Sequence, residues 1–474
     1  MKTCPLTVTL PVSLAFLGVI LLSIWVTVAP STQFDPRLPG EDGTPQAVSE
    51  SDRSELIAGE PIVGVGVPAD LAGSWPGFRG PQRDAIYYDG TSLAREWPDG
   101  GPPVLWRVEM GEGYAAAAIE NGRVYVLDVE VPEPDGPGTA DVLRCLSLAD
   151  GQEIWRNSYP NPITRNHGMS RTIPALYQDA VITLGPRLDV GCWDAETGES
   201  RWLFSMVERY GSEERQWYAG QCPLVDEGRV ILAPGAPDAL LVALDYQTGE
   251  EIWRTPNPRG WRMTHSSIMP MEHAGQAMYV YCGTGGTVGV AAEDGRILWD
   301  ETSWRENFAT SPSPLVLPGG RILLSSGYGT IGAMLLQLTE EDGDWRVEAE
   351  AHLDRGDFNS EQQTPILYEG HIYGIRKHRG GQLVCLDLDG QEVWNSGADR
   401  FGHGPYMIAD GLILALETNG ELVAAEATSE GYRPVWRFTV FPDGYEAWGP
   451  MAMVSGHLVV RDIRQMACLD LRSN

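Results

Sequence analysis

The chain has 474 residues, 65 of them Asp or Glu against 34 Lys or Arg, which gives a formal net charge of −31. So negative a balance disfavours a nucleic-acid-binding face and adsorption to anionic lipid, because phosphates require cationic partners and binding falls steeply without them. With 55 Gly, 34 Pro and 16 Trp and no long run at helical spacing, the composition points to an all-β chain with many turns.

The first 29 residues carry Lys2 and then a mostly apolar run from Leu6 to Ala29. That run is long enough to span a bilayer. Thr27 and Ala29 form a small-residue cleavage pattern, but Pro30 would follow the cut and hinder it, so an uncleaved anchor is expected. Lys2 and the amino terminus put the N-terminal side in the cytoplasm and the body outside it, in the periplasm or at the cell surface. Residues 30–73, rich in Pro, Gly, Ser and acids without periodicity, predict a disordered, flexible linker. Residues 74–474 form the globular domain, and the aromatics Trp75, Phe78 and Trp97 predict a segment on its outside before the first repeat. Arg79 and Arg83 in that segment are expected to pair with local acids.

The repeat is clearest from Val142 to Trp155, VLRCLSLADGQEIW: an apolar strand, a tight turn and a return strand ending on tryptophan. Variants end at Trp202, Trp253, Trp299 and Trp394, with weaker ones at Trp345 and Trp436 and an isolated match at Trp106, a mean step of about 47 residues. One copy is too small to bury its own core, so the copies must stack. Each reads as four strands, and eight turns of Asn-Gly or Asp-Gly type, near residues 122, 179, 228, 276, 320, 370, 411 and 456, join the first strand to the second. The C-terminus stops at MACLDLRSN after a third strand, so its missing fourth strand must come from PPVLWRVEM around Trp106. Such closure predicts an eight-bladed β-propeller ring and removes two exposed sheet edges. Cys145, Cys192, Cys385 and Cys468 share one position in this repeat, where Ala243 and Val290 also occur, which marks a small buried site. Cys222 and Cys282 are a conceivable pair, but no disulfide framework is expected.

The DxxTGxxxW pattern of Asp194 to Trp202 and Asp245 to Trp253 resembles the tryptophan-docking repeat of the pyrroloquinoline quinone (PQQ) type propellers. That group includes quinoprotein alcohol dehydrogenases, the propeller lipoprotein of the outer-membrane barrel-assembly machinery and PQQ-binding-like repeat proteins. The resemblance covers about residues 75 to 474 and implies the fold, with Trp106, Trp155, Trp202, Trp253, Trp299, Trp345, Trp394 and Trp436 as staples between blades. Function is separable from fold.

A quinoprotein dehydrogenase of this resemblance implies a calcium-bound PQQ, an acid and an asparagine on the calcium, an aspartate base and often a pair of adjacent cysteines. No adjacent cysteine pair and no CxxCH occur here, and Asp387 and Asp389 are read as turn residues. No GxSxG, HExxH or P-loop pattern is present either. Alignment of the first strands places Tyr114, His167, Arg171, Tyr218, Gln221, His265, Glu361, Gln362, His403 and Trp448 around the mouth of a central funnel. Cationic, aromatic and amide groups converging there suit a small polar ligand or a peptide. Glu361 and Glu446 are the only carboxylates at the mouth for a glycan-cleaving pair. The expected function is therefore a non-enzymatic, extracytoplasmic binding scaffold, monomeric and anchored by residues 6–29, whose partner is an envelope protein or a small polar extracellular ligand. No cofactor is expected. The alternative is a PQQ- and calcium-dependent dehydrogenase using the same funnel.

Overall fold

The computed structural model describes residues 56–97, 100–130, 139–163, 167–305, 310–328 and 331–473. The chain divides into two units, 1–43 and 44–474, and the described residues belong to the second. The expected anchor at 6–29 lies outside them, and among the described residues no helix is long and apolar enough to cross a membrane.

Among the described residues eight sheets follow one another along the chain, each built on an antiparallel meander of four strands. Blade 1 runs through Ala118–Glu120, Arg123–Glu130, Ala140–Ser147 and Glu153–Pro160, and blades 2 to 7 repeat the meander. Blade 8 takes Ala452–Val454, His457–Arg461 and Gln465–Asp470 from the C-terminus and Val104–Glu109 from before blade 1. In that seam Cys468 lies opposite Trp106, as the truncated last repeat requires. The turn signals have a direct physical cause: in six of the eight first hairpins both residues of a two-residue turn adopt positive φ, for example Asn121 (48°) with Gly122 (73°) and Asp410 (47°) with Gly411 (69°). Two such residues in succession twist a two-residue turn to match the right-handed twist of its strands.

The first strands of successive blades adjoin and surround the axis. A relay of small side chains links the segments that lead into them. Ile173 N donates to Cys222 Sγ (3.3 Å), Cys222 N to Ser267 Oγ (2.9 Å), Ser267 N to Ser313 Oγ (2.9 Å) and Ser313 N to Thr364 Oγ1 (2.8 Å). Each side chain thus satisfies a backbone donor of the preceding blade, in a wall where an unpaired N–H would be unfavourable. Cys222 and Cys282 are both buried free thiols, and the conceivable pair is not formed.

The tryptophans act as staples where the local register permits. In every blade the fourth strand carries one extra, unpaired residue directly before the docking position, such as Ile154 before Trp155, which lies opposite Cys145, or Val435 before Trp436, which lies opposite Ala424. The extra residue bends its strand and re-aims the side chain that follows it. Trp106, Trp202 and Trp394 donate Nε1–H to Leu148 O, Tyr246 O and Thr428 O of the next blade at 2.8–3.0 Å. Trp155 and Trp253 lie against Gly198 and Gly295, where a Cβ would come within 2.5 Å of the ring. Trp436 caps Ala94 O instead (3.2 Å) and meets Trp97 edge to face.

Two copies depart from the expected pattern. Trp299 lies opposite Gly289, not Val290, and fills the space the glycine leaves, with Nε1 on Met278 Sδ of its own blade. Trp345 is not at the docking position at all: Ala351 occupies it, and Trp345 pairs with Glu340 near the tip of a hairpin of two ten-residue strands, beside His273 of blade 4. The acidic Glu-Glu-Asp-Gly-Asp tip lengthens both strands, so the sequence spacing counts from the wrong tryptophan.

The segments before the ring also correct the expectation. From Leu56 onward the predicted flexible linker is bound to blade 1: Gly59 N, Gly64 N and Gly66 N donate to Ser158 O, Ile154 O and Glu153 O, and Ile62–Val63 adds a fifth strand at the outer edge. Residues 73–88 do not lie outside the domain but plug the axial channel. Ser74–Trp75 pairs with the first strand of blade 1, Pro76 O receives Leu176 N of blade 2, and Ile86–Tyr87 runs parallel to the first strand of blade 7. At the plug's tip Arg79 and Arg83 are buried and pair with carbonyls rather than acids. Arg79 reaches Thr364 O (2.6 Å) and Pro365 O (2.8 Å) at blade 6, and Arg83 reaches Pro223 O (3.3 Å) at blade 3. Arg83 also lies over the Phe78 ring at 5.2 Å. The inner edges that other sheets would leave open are thereby hydrogen-bonded by the chain itself.

Candidate functional site

The plug fills one end of the channel, so the available face is the other, where loops lead into the first strands and join second strands to third. These loops are free of the repeat's constraints and can differ from blade to blade. Four of them hold non-glycine residues in the left-handed region, His167 (φ 56°), Leu188 (72°), Tyr218 (61°) and Glu446 (50°). Such strain, about 1 kcal/mol or more each, persists only where surrounding contacts impose it.

The side chains here form an arc across blades 5 to 8 and 1. Glu361, buried at the approach to blade 6, pairs through Oε1 with Lys377 Nζ and through Oε2 with His403 Nδ1 at 2.9 Å. The Lys377 ammonium lies 4.9 Å from the centre of the Tyr328 ring, and Gln362 Nε2 donates to Tyr328 Oη at 3.3 Å. The His403 ring meets Trp448 edge to face at 5.0 Å, and Trp448 lies 5.2 Å from Tyr114. Trp448 is fixed by Nε1–H donation to Thr418 Oγ1 (3.2 Å), and Tyr114 Oη donates to Glu446 Oε2 (2.5 Å). Burial, together with that carboxylate, pushes the Tyr114 phenol well above its usual range, so it stays a donor.

Across the mouth, Arg171 donates Nε–H to Gly168 O (3.0 Å) and interacts electrostatically with Tyr114, Tyr328, Tyr218 and Glu446, which come from four different blades. Burial lowers its pKa. His265 holds Tyr218 O through Nε2 at 3.0 Å; burial first, then the nearby Arg171 charge, pushes its pKa down to about 3, so the ring is neutral. Nine of the ten candidate residues therefore lie on this face. Gln221 does not serve it: its amide is fully buried and closes both Ala233 N and Ala233 O as a structural pair. Two members of the cluster escaped the sequence argument, Tyr328 and Lys377, because both sit on loops between second and third strands rather than before first strands. A signal for Lys377 was present: apart from Lys2 it is the only lysine in the chain.

The residues do not fit calcium-bound PQQ. Glu361, the buried carboxylate of the mouth, already faces an ammonium, and a divalent cation beside Lys377 would meet a like charge. Among the described residues no group of three or more His, Cys, Asp or Glu converges as metal ligands do. Asp387 Oδ1 accepts from Asp389 N (3.0 Å) and Gln391 N (2.8 Å), a turn cap as the sequence suggests.

Comparison with known proteins matches residues 138–389 to the family described as outer membrane protein assembly factor BamB. No curated protein sequence matches the chain. Among solved structures, BamB from Moraxella catarrhalis superposes with TM-score 0.52 at 12% identity, covering 78% of this chain and all of that one. The quinohemoprotein alcohol dehydrogenase ADHIIG from Pseudomonas putida HK5 gives 0.57 at 13% identity, covering 86% of this chain and 83% of its own. The computationally designed Ika8 protein gives 0.50 at 12% identity, over 78% and 100%. At these identities the likenesses establish the propeller and leave the chemistry to the residues.

Proposed function

Because this chain belongs to the family described as outer membrane protein assembly factor BamB, which its match over more than half the sequence shows, we propose that it is an extracytoplasmic scaffold that binds another envelope protein. In this reading residues 6–29 tether it to the membrane and the funnel face carries the partner. The observation that supports it is the state of the channel: its own residues 73–88 plug one end, and the arc from Lys377 to Glu446 bonds to itself at the other. What such a molecule offers is a surface of loops, rich in Trp, Tyr and charged groups, of the kind that anchors interfaces. A PQQ-dependent dehydrogenase in the same funnel is the alternative, and the pairing of Glu361 with Lys377 weighs against it.

Two measurements separate the readings. Photocrosslinking from Trp448 in native membranes is expected to trap one envelope protein, and the same probe at Asp389, outside the arc, is expected not to. Titration of the purified chain with PQQ and calcium is expected to show no saturable binding. Saturable binding accompanied by dye-linked alcohol oxidation would reverse the proposal.

A further inference from the structure

Of the 34 Lys and Arg residues in the chain, 32 are arginines, so the one lysine of the folded domain is set apart by type as well as by place. Elsewhere arginine supplies the cation, as in the two-oxygen pairing of Arg254 with Glu251 (2.7 and 2.8 Å) or the reach of Arg201 to both Asp179 and Asp194. A guanidinium is a flat fork suited to such fixed pairs, whereas an ammonium is a compact charge with three donors in tetrahedral array. Lys377 differs from those arginines in a second respect. Its partner Glu361 is buried, at 4% side-chain exposure, while Lys377 is 41% exposed. The pair is thus built with its acid inside and its cation facing outward, and His403 Nδ1 lies 2.9 Å from the acid's second oxygen.

The surroundings agree. Lys377 stands in Arg376-Lys377-His378-Arg379, a run of four consecutive basic residues in a chain of net charge −31. Arg376 is buried and taken up by Glu392 (2.6 Å) and by Gln382, so it does not compete for a ligand at the surface. Beside the ammonium lie the flat faces of Tyr328 and, beyond His403, of Trp448 and Tyr114. The overall negative charge repels anions at long range, but that field is screened within about 8 Å at physiological salt, so an anion is held here only by contact. A charge-assisted hydrogen bond beside aromatic faces favours a planar anion joined to an apolar or amide body.

Resting on the reading of this face as the partner's seat, we propose that Lys377, buttressed by Glu361 and His403, binds a carboxylate of an acidic peptide segment in the partner. Tyr328 and Trp448 flank the peptide. Glu361 holds the ammonium in place from beneath, and His403 Nδ1 lies 2.9 Å from its second oxygen.

The scarcity of lysine makes the test direct. The purified full-length chain is acetylated with a limiting amine-reactive reagent, and the labelling of Lys377 is read by mass spectrometry against Lys2 as internal control. Hexaglutamate peptide is expected to slow labelling of Lys377 about fivefold or more without affecting Lys2. Glutarate and inorganic phosphate at equal charge are expected to protect far less. By calorimetry, Lys377→Met is expected to weaken hexaglutamate binding about tenfold or more, as loss of one charge-assisted hydrogen bond implies. Lys377→Arg, which keeps the charge and the fold, is expected to restore only part of it. No protection by any of the three probes would overturn the proposal, and equal protection by glutarate or phosphate would overturn the peptide in favour of a small-anion site. The docking reading is judged separately: if Trp448 still crosslinks the partner while Lys377 is unprotected, the scaffold stands and this inference fails. If Lys377 is protected but Trp448 captures nothing, the converse holds.

Discussion

Replacing Arg79 with methionine tests whether the plug is an integral part of the ring. Arg79 donates to four carbonyls, those of Arg83 (3.0 Å), Asp84 (2.9 Å), Thr364 (2.6 Å) and Pro365 (2.8 Å), so it ties the plug's own turn to blade 6 in one fork. Methionine matches much of the volume and removes every one of these bonds. Thr364 O keeps Tyr406 Oη at 3.2 Å, which leaves three carbonyls to lose their donor. Hydrogen bonds to a charged group contribute about 1.5–3 kcal/mol each, and a buried carbonyl left alone costs about 1–3 kcal/mol. Against this stands relief from burying a guanidinium with no carboxylate bonded to it, the desolvation that draws the Arg79 pKa down to about 10. The balance is a net loss of about 3–5 kcal/mol. With an unfolding entropy of about 2.1 cal/mol/K per residue over about 400 residues, the melting temperature should fall by about 4–6 °C. Calorimetry reads that shift, and limited proteolysis should show new cleavage between Trp75 and Tyr88. A melting temperature within about 1 °C of the parent, with the plug still resistant, would refute the claim that Arg79 bolts the channel.

Gly198→Ala forces a Cβ to within 2.5 Å of the Trp155 ring at a residue with φ +76°, so a loss of about 2 kcal/mol or more is expected in urea unfolding. Trp106→Ala should cost about 3–5 kcal/mol, because it removes a buried ring and its bond to Leu148 O. Trp345→Ala, outside the docking register, should cost about 1 kcal/mol, and equal losses for the two would refute the register argument. Burial lifts Asp141 to about 7, against the pull of Asn161, Tyr159 and Arg187. In the unfolded chain it ionises near 3.9, so the native state holds its proton longer and stability declines as pH rises from about 4 to 7, then levels. Asp141→Asn should remove up to about 4 kcal/mol of that decline, visible as a flatter plot of unfolding midpoint against pH.

The ring was legible because its information is repeated. Six hairpins need positive φ at the same two places, seven third strands place a small residue opposite a docking tryptophan, and the missing last strand could be matched to Trp106 by its pattern alone. What the sequence did not reveal occurs only once. WPGFRGPQRDAIYY has the aromatics of a surface segment, and nothing local says that Arg79 will find carbonyls of blade 6 nearly three hundred residues later. Trp345 misled for a related reason, since a longer hairpin shifts the tryptophan without changing the look of the motif. At the mouth, alignment on the turns found the loops before first strands, and with them Glu361, His403 and Trp448. It could not reach Lys377 or Tyr328, which approach from loops the alignment did not consider, and it could not tell that Gln221 turns inward to Ala233.

The seam of blade 8 also bears on how the molecule is made. Val104–Glu109 leaves the ribosome early and waits for Gln465–Asp470, which is synthesised only after blades 1 to 7. Until those residues arrive, the nascent chain carries two unpaired sheet borders at once, and any stop codon, nick or stalled export before Gln465 leaves both of them open to a neighbour. Biogenesis of this protein therefore has a hazardous interval between the completion of blade 7 and the arrival of Gln465–Asp470, and a holding chaperone would be most useful to it then.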